Sequence, residues 1–116
     1  MALKRVAIEF GMGTDLRGED YTKAAVRGLR DALWHNSLTI GPALGLSGDD
    51  MIVDIVVGVA QPDAVDKEAV AAILPYGTAR VQIVEGGLDV VKDDGVGRTV
   101  IANVACIVSF NLAEGA

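Results

Sequence analysis

The chain has 116 residues, which is enough for one domain spanning 1–116, and its formal charge at pH 7 is −6. A net acidic surface repels phosphate groups, which argues against nucleic acid and anionic membranes as partners. Hydrophobic residues make up 51% of the chain and aromatic residues only 4%, so its apolar content is mainly aliphatic.

The cysteine content and the hydropathy pattern indicate a cytoplasmic protein. A single cysteine excludes an intrachain disulfide. The sequence shows neither a signal-peptide pattern nor an apolar run of about 20 residues, so we expect neither export nor membrane insertion. Cys106 lies in the apolar run 104–108, which predicts a buried core residue rather than a nucleophile.

The first strand is predicted over residues 4–10, where Val6, Ile8 and Phe10 share one face. The next segment, 11–18, contains three glycines in eight residues and predicts a loop.

A helix is expected over residues 20–36, with Asp20 or Glu19 capping its start. Its buried stripe is predicted from residues at helical spacing, which are Ala25, Leu29, Ala32 and Leu33.

The second half predicts one more helix and the rest of the sheet. The helix is expected over 64–74, with Val65, Val70, Ile73 and Leu74 facing inward. Strands are expected over 51–59, 79–85 and 98–110, and 88–91 continues the third strand after a bend at 85–87.

These elements predict an α+β fold of order β-α-β-α-β-β, a four-stranded sheet with two helices on one face. The last strand is apolar on both sides, so the face opposite the helices needs a cover. A small domain has few places to hide such a surface. We therefore expect a homo-oligomer that assembles through the sheet.

The glycine-rich segment and the start of the first helix form the candidate ligand site. Glycine amides and a helix start attract anions. Positive charge is added by Arg17 in the loop and by a helix stripe of Lys23, Arg27 and Arg30. We assign binding of a small anionic metabolite to Gly11, Gly13, Arg17, Gly18 and Arg27. Asp15 and Lys23 are the candidate catalytic residues, Asp15 as a proton-exchanging or orienting group and Lys23 as a charge-holding one. In the alternative, purely structural interpretation, the glycines only permit the turn between strand and helix, and the basic residues form a solvent-exposed helix face.

Two nucleotide-binding motifs are excluded, and no cofactor is expected. Leu16 stands where the dinucleotide fingerprint needs glycine, and 18–20 reads Gly-Glu-Asp where a P-loop needs Gly-Lys-Ser/Thr. His35 is the single histidine, so the sequence predicts no metal site of the usual kind.

Other polar residues offer weaker candidates. Glu9, Asp54 and Glu85 interrupt apolar strands, so each is an acid/base group, an ion-pair partner of a basic residue, or a residue at the sheet surface. We favour the surface for Asp54. Ser47 is a candidate nucleophile if Lys23 or His35 approaches it, and otherwise it begins a turn.

Residues 9–18 resemble the signature of the Lin-type family of conserved hypothetical proteins, whose motif is GxGxDxHG. Gly11, Gly13, Asp15 and Gly18 match the motif, and Arg17 replaces its histidine. Arginine stays protonated and cannot act as a base, which favours a binding role for this loop. The resemblance extends to the segments 22–25, 35–38, 75–77 and 85–88.

A looser similarity connects the chain to ring-opening cyclic amide hydrolases, the cyanuric acid hydrolase and barbiturase group. Those proteins look like three fused α+β units around a threefold axis that use Ser–Lys pairs. A trimer of this chain would imitate that layout, with Lys23 and Ser47 as candidates and a cyclic amide as ligand.

Three functions remain open from the sequence. The chain is a hydrolase-like enzyme with sites between subunits, a non-catalytic binder of a small metabolite, or a structural assembly domain.

Overall fold

The computed structural model describes residues 2–34, 45 and 47–112. Within them the chain forms five strands and two α-helices, which confirms the α+β class. In chain order these are β1 (Ala2–Asp15), α1 (Tyr21–Trp34), β2 (Met51–Val59), α2 (Lys67–Ala71), β3 (Thr78–Glu85), β4 (Leu88–Val91) and β5 (Arg98–Leu112).

The long strand β5 organises the sheet, whose order is β1-β5-β2-β3. It pairs antiparallel with β1 on one side and with β2 and β4 on the other, while β2 and β3 run parallel. Gly87, which has φ +63°, lies where the chain passes from β3, paired with β2, to β4, paired with β5. An added Cβ there would overlap the carbonyl oxygen of Ile101, so only glycine fits this crossing.

The core lies between the sheet and the helices. Alternate residues of β2 and β5 face α1 and are buried, as the period of two in a strand requires. They are Met51, Val53, Ile55, Val57, Val59, Val100, Ala102, Val104, Cys106, Val108 and Phe110. The core position predicted for Cys106 is confirmed, and burial, followed by the charge of Glu9, raises the pKa of its thiol to about 11.

Helix α1 packs on β1 and β5 through the predicted stripe. Ala25, Leu29 and Ala32 are buried, and Leu33 packs against the same cluster. Asp20 is the N-cap, because its Oδ1 accepts a hydrogen bond from the Lys23 amide at 3.0 Å. The predicted last residues of this helix, 35–36, lie outside the described residues.

The second predicted helix is shorter than expected. A 3-10 turn at Pro62–Ala64 precedes α2, and Asp66 caps α2 by accepting from the amides of Glu68 and Ala69. The four residues predicted to face inward do so: Val65 and Val70 are buried, and Ile73 and Leu74 pack against the core.

The loop predicted over 11–18 is wrong in its first half, because β1 continues to Asp15. Gly11 and Gly13 lie in the strand directly beneath α1. A Cβ added to Gly11 would overlap the Gly28 carbonyl oxygen, and one added to Gly13 would overlap that of Ala24. The glycines therefore permit a close approach of helix to strand.

The predicted shared face of Val6, Ile8 and Phe10 is also wrong. The pairing of β1 with β5 shifts between Arg5 and Ala7, which places a bulge at Val6. Val6 consequently packs against the core, whereas Ile8 and Phe10 face the other side of the sheet. A one-residue shift reverses the faces of a strand.

We expect Gly13→Ala to lower the free energy of unfolding by about 3 kcal/mol, because the methyl group has to displace the α1 backbone. Chemical denaturation monitored by circular dichroism measures this change. Gly97→Ala is the control, since its nearest neighbour is the flexible Lys92 side chain at 3.4 Å. Equal stabilities of the two variants would contradict this close packing.

Candidate functional site

The β1–α1 loop, residues 16–20, is built around the carboxylate of Asp15. This side chain is 8% exposed, and its Oδ2 accepts a hydrogen bond from the Asp20 amide at 2.9 Å. A Cβ on Gly18 would lie 2.8 Å from the same oxygen, so the loop passes over the carboxylate only with glycine there. Asp15 thus fixes the connection between strand and helix.

The surroundings of Asp15 keep it ionised. The amide of Asp20 contributes most to lowering the pKa of the carboxyl, opposed by burial and supported by the charges of Lys23 and Arg27 and by the Gly18 amide. A carboxylate with a lowered pKa is a weak base, which argues against proton abstraction by Asp15.

Helix α1 also reaches over the outer edge of β1. Arg27 Nη1 donates to the Thr14 carbonyl oxygen at 2.7 Å and lies 3.7 Å from Asp15 Oδ1. One turn further along, Asp31 Oδ2 accepts from the Met12 amide at 3.0 Å. The helix therefore binds backbone groups of the edge strand as well as its face.

A second polar cluster joins the start of α1 to β4 and β5. The Tyr21 hydroxyl donates to Asp89 Oδ2, and Arg98 lies 3.5 Å from Asp89 and 3.4 Å from Glu19. Burial, followed by the contact with Asp89, raises the pKa of the Tyr21 phenol. Asp89 Oδ1 is buried without a hydrogen-bond partner among the described residues.

Glu19 holds an unusual backbone conformation in this region. Its φ of +50° is the one positive value among the described non-glycine residues. Left-handed backbone at a non-glycine residue costs free energy and persists where its surroundings fix it. The contact with Arg98 holds this side chain beside the second cluster.

The predicted site residues are thus brought together in part. Asp15, Gly18 and Arg27 are in contact, and Lys23 acts on Asp15 through its charge. Arg17 is exposed and forms no ion pair with another described residue. Charge within the loop is largely balanced, because acidic side chains accompany these basic ones.

Other parts of the predicted site serve the fold. Gly11 and Gly13 have the packing role described above, and their role as ligand-binding residues stays a prediction. The amides at the helix start, which were expected to hold an anion, are bonded to carboxylates: Lys23 to Asp20 and Asp20 to Asp15. An anion would have to displace these carboxylates.

The weaker candidates occupy separate places. Asp54 forms a two-bond ion pair with Arg80 of the neighbouring strand, at 2.7 and 2.8 Å, on the partly exposed sheet surface favoured for it. Hydrogen bonds from Arg80 lower the pKa of Asp54.

Ser47 and Lys23 lie at opposite ends of the sheet. Ser47 precedes the end of β2 that pairs with Phe110, whereas Lys23 neighbours Asp15, which pairs with Val100. Ten residues of strand separate these positions by about 33 Å. Within one chain Lys23 therefore does not approach Ser47, which was the condition for a nucleophilic role with this lysine.

No group of three or more His, Cys, Asp or Glu side chains is placed to hold a metal ion in the described part of the chain. His35 lies outside that part.

The sheet side opposite the helices, here called the open face, is largely apolar. Phe10 is 69% exposed, Met12 55% and Leu88 57%. Strand register places its apolar side chains together, and they are Ile8, Phe10, Met12, Ile52, Val56, Val84, Leu88, Val90, Ile101, Ala105 and Ile107. The sequence predicted such an uncovered apolar face, because β5 is apolar on both sides and both helices were expected on one face.

A pocket of about 650 Å³ opens on this face. Its floor includes Gly58, Asn103 and Ala105, and Phe10 and Met12 stand beside it. Sequence reasoning missed it, although one signal was available: Asn103 interrupts the apolar run 100–108 of β5. The bend predicted at 85–87 forms another part of the lining, through Glu85, Gly86 and Gly87.

The comparisons with known proteins assign a family. The family model described as "Conserved hypothetical protein (Lin0512_fam)" matches residues 5–108. The chain belongs to this family. The match confirms the Lin-type resemblance predicted from residues 9–18.

A solved structure extends the likeness to three dimensions. The crystal structure of an FtsZ-like protein of unknown function from Nostoc punctiforme superposes with a TM-score of 0.86 at 35% identity, covering 97% of this chain and 99% of that one. The search of curated proteins gave no match. Neither described helix is long and apolar enough to cross a membrane.

We expect Asp15→Asn to lower the melting temperature at neutral pH by roughly 5 °C, because the amide retains the shape but loses the charge that holds the loop. The pKa of Asp15 is lowered in the folded protein, so its stabilising effect is present above the ordinary value of 3.8 and is lost as the pH falls through the lowered value.

The melting difference between wild type and Asp15→Asn should therefore shrink on acidification, as thermal unfolding at several pH values measures. Asp93→Asn, in the exposed turn after β4, is the control for removing one negative charge. A difference that persists unchanged well below pH 3.8 would contradict the role given to the Asp15 charge.

Proposed function

We propose that this chain is the subunit of a homo-oligomer, assembled through the open face, that binds a small metabolite without transforming it. The observation that supports assembly is the exposure of Phe10, Met12 and Leu88 on one contiguous apolar sheet surface. A water-exposed sheet face normally carries polar residues at these positions.

The energetic reason for assembly is burial of these side chains. Covering an exposed Phe or Met side chain gains about 1.5–3 kcal/mol each. A second sheet face supplies the best cover, because two inner faces interdigitate at a spacing of about 10 Å. In a closed trimer each copy places one side of its open face against the other side of the next copy's open face, and this head-to-tail contact repeats around the axis.

A trimer is the preferred arrangement, following the similarity to cyclic amide hydrolases noted from the sequence. Three copies of 12.0 kDa give 36 kDa. The hydrolase-like alternative, with Asp15 and Lys23 as catalytic residues, is less well supported, because the Asp15 carboxylate is bonded to the loop and is a weak base.

Binding of a small anion at the β1–α1 loop is the second candidate function. It is favoured by the exposure of Arg17 and Lys23, neither of which forms an ion pair within the described part of the chain. Gly11, Gly13, Gly18 and Arg27 complete the set assigned from the sequence.

We expect the wild type to run as an oligomer of 36 kDa at micromolar concentration, and Phe10→Glu to dissociate it to the 12.0 kDa subunit, because a carboxylate cannot be buried unpaired in an apolar interface. Size-exclusion chromatography with light scattering measures both masses, and circular dichroism checks that the variant is folded.

Val96→Glu is the matched control. It makes the same change of charge at an apolar residue that is 85% exposed in the turn before β5. This variant should keep the mass of the wild type. A monodisperse 12.0 kDa wild type under these conditions would contradict the proposed assembly.

A further inference from the structure

We propose that the open-face pocket is a binding site for a flat, neutral cyclic amide, with the side chain of Asn103 as its polar anchor. The inference deepens the proposed function by locating and naming the ligand class, and it rests on that function where it couples binding to assembly.

The shape of the pocket comes from missing side chains. Gly58 lies on the open face of β2, and the Gly86 backbone fills the place of its side chain, with the Gly86 Cα 3.5 Å from where a Cβ would be. Gly86 and Gly87 also line the pocket, so backbone without side chains bounds this part of it. Gly58 pairs with Asn103 of β5, and Asn103 pairs on its other side with Met12 of β1. A depression of about 650 Å³ results, within the range of small-molecule sites.

The walls of the pocket are apolar and suit a flat ring. Phe10 and Met12 stand at one side and Val56 and Val84 at the other. Aromatic and thioether side chains contact planar ligands favourably by dispersion and stacking. A depression between them accepts a ring lying against the sheet.

Asn103 supplies the polar recognition. It is exposed between Ile101 and Ala105 on the open face, and its side-chain amide forms no hydrogen bond with another described residue. A primary amide offers one acceptor and two donors. The edge of a lactam or cyclic ureide, with adjacent N–H and C=O groups, complements it with two hydrogen bonds.

Charge selects against anions at this site. The charged residues that line the pocket, Asp31 and Glu85, are both acidic. Arg80, the nearest base along β3, is held by Asp54. None of the described residues that line the pocket is basic, so a negative ligand would find no cationic partner among them, and the ligand class differs from the anion expected at the β1–α1 loop.

The pocket opens on the face that we propose to be covered by another copy. A ligand bound there lies between subunits and loses further contact with water on assembly. Binding and association then strengthen each other by linkage.

Oxindole is a suitable probe, because it is flat, neutral and carries one lactam edge. Isothermal titration and the side-chain amide signals of asparagine in NMR spectra measure its binding to the full chain. We expect oxindole to bind and to shift the Asn103 signals. N-methyloxindole, which lacks the donor, should bind at least tenfold more weakly, and benzoate should not bind.

Two variants test the site, and one serves as control. Asn103→Leu keeps the size of the side chain and removes its hydrogen bonds, and Ala105→Leu fills the floor; each should weaken oxindole binding at least tenfold. Asn111→Leu makes the same change on the same strand and face, eight residues away and outside the pocket, and should leave binding unchanged.

The outcomes separate this inference from the proposed assembly. Absence of oxindole binding by an oligomeric wild type, or binding that Asn103→Leu leaves unchanged, overturns the pocket proposal alone. A monomeric wild type that binds oxindole through Asn103 supports the pocket and overturns the assembly. Oxindole that raises the oligomer fraction of a dilute sample supports both.

Discussion

The close approach of α1 to β1 is the contact on which the rest of this structure depends. Gly11 and Gly13 remove every side chain between the strand and the backbone of Ala24 and Gly28. Since side chains alternate across a strand, placing glycines on the helix side directs the intervening large residue, Met12, to the other side. The strand that seats the helix therefore also places Met12 on the open face.

The β1–α1 connection is held by charge rather than by apolar packing. Asp15 accepts a hydrogen bond from the loop and Asp20 caps the helix. Contacts of Tyr21 with Asp89 and of Glu19 with Arg98 tie the helix start to β4 and β5. The Asp15 and Asp20 carboxylates occupy the amides that would otherwise attract an anion. The loop thus contains the residues of a binding motif, but their hydrogen bonds stabilise the connection between β1 and α1.

The spacing of apolar residues along the sequence predicts several strand bounds and the buried side of α1. The bounds of β2 and β4 and the buried stripe of α1 follow from the alternation or helical spacing of apolar residues. The end of β1 could not be predicted this way, because glycine reads as a loop signal unless the helix above it is known. Register was equally hidden, since the bulge at Val6 arises from pairing with β5.

The two candidate sites also differ in how far they depend on residues that are close in the sequence. Asp15, Gly18 and Arg27 lie within thirteen positions of each other, so the sequence brought them into one hypothesis. The open-face pocket combines strands that are far apart along the chain, and only their register brings Phe10, Val56 and Asn103 together.

The covering of the β1 edge by Arg27 and Asp31 has a consequence for the proposed assembly. Unpaired backbone groups on an outer strand invite another chain to add alongside, which leads to open-ended fibres and aggregation. Here the amide of Met12 and the carbonyl of Thr14 are already taken. Addition of another strand is blocked over this stretch, so the proposed assembly would have to use the face of the sheet, where a closed and finite particle can form.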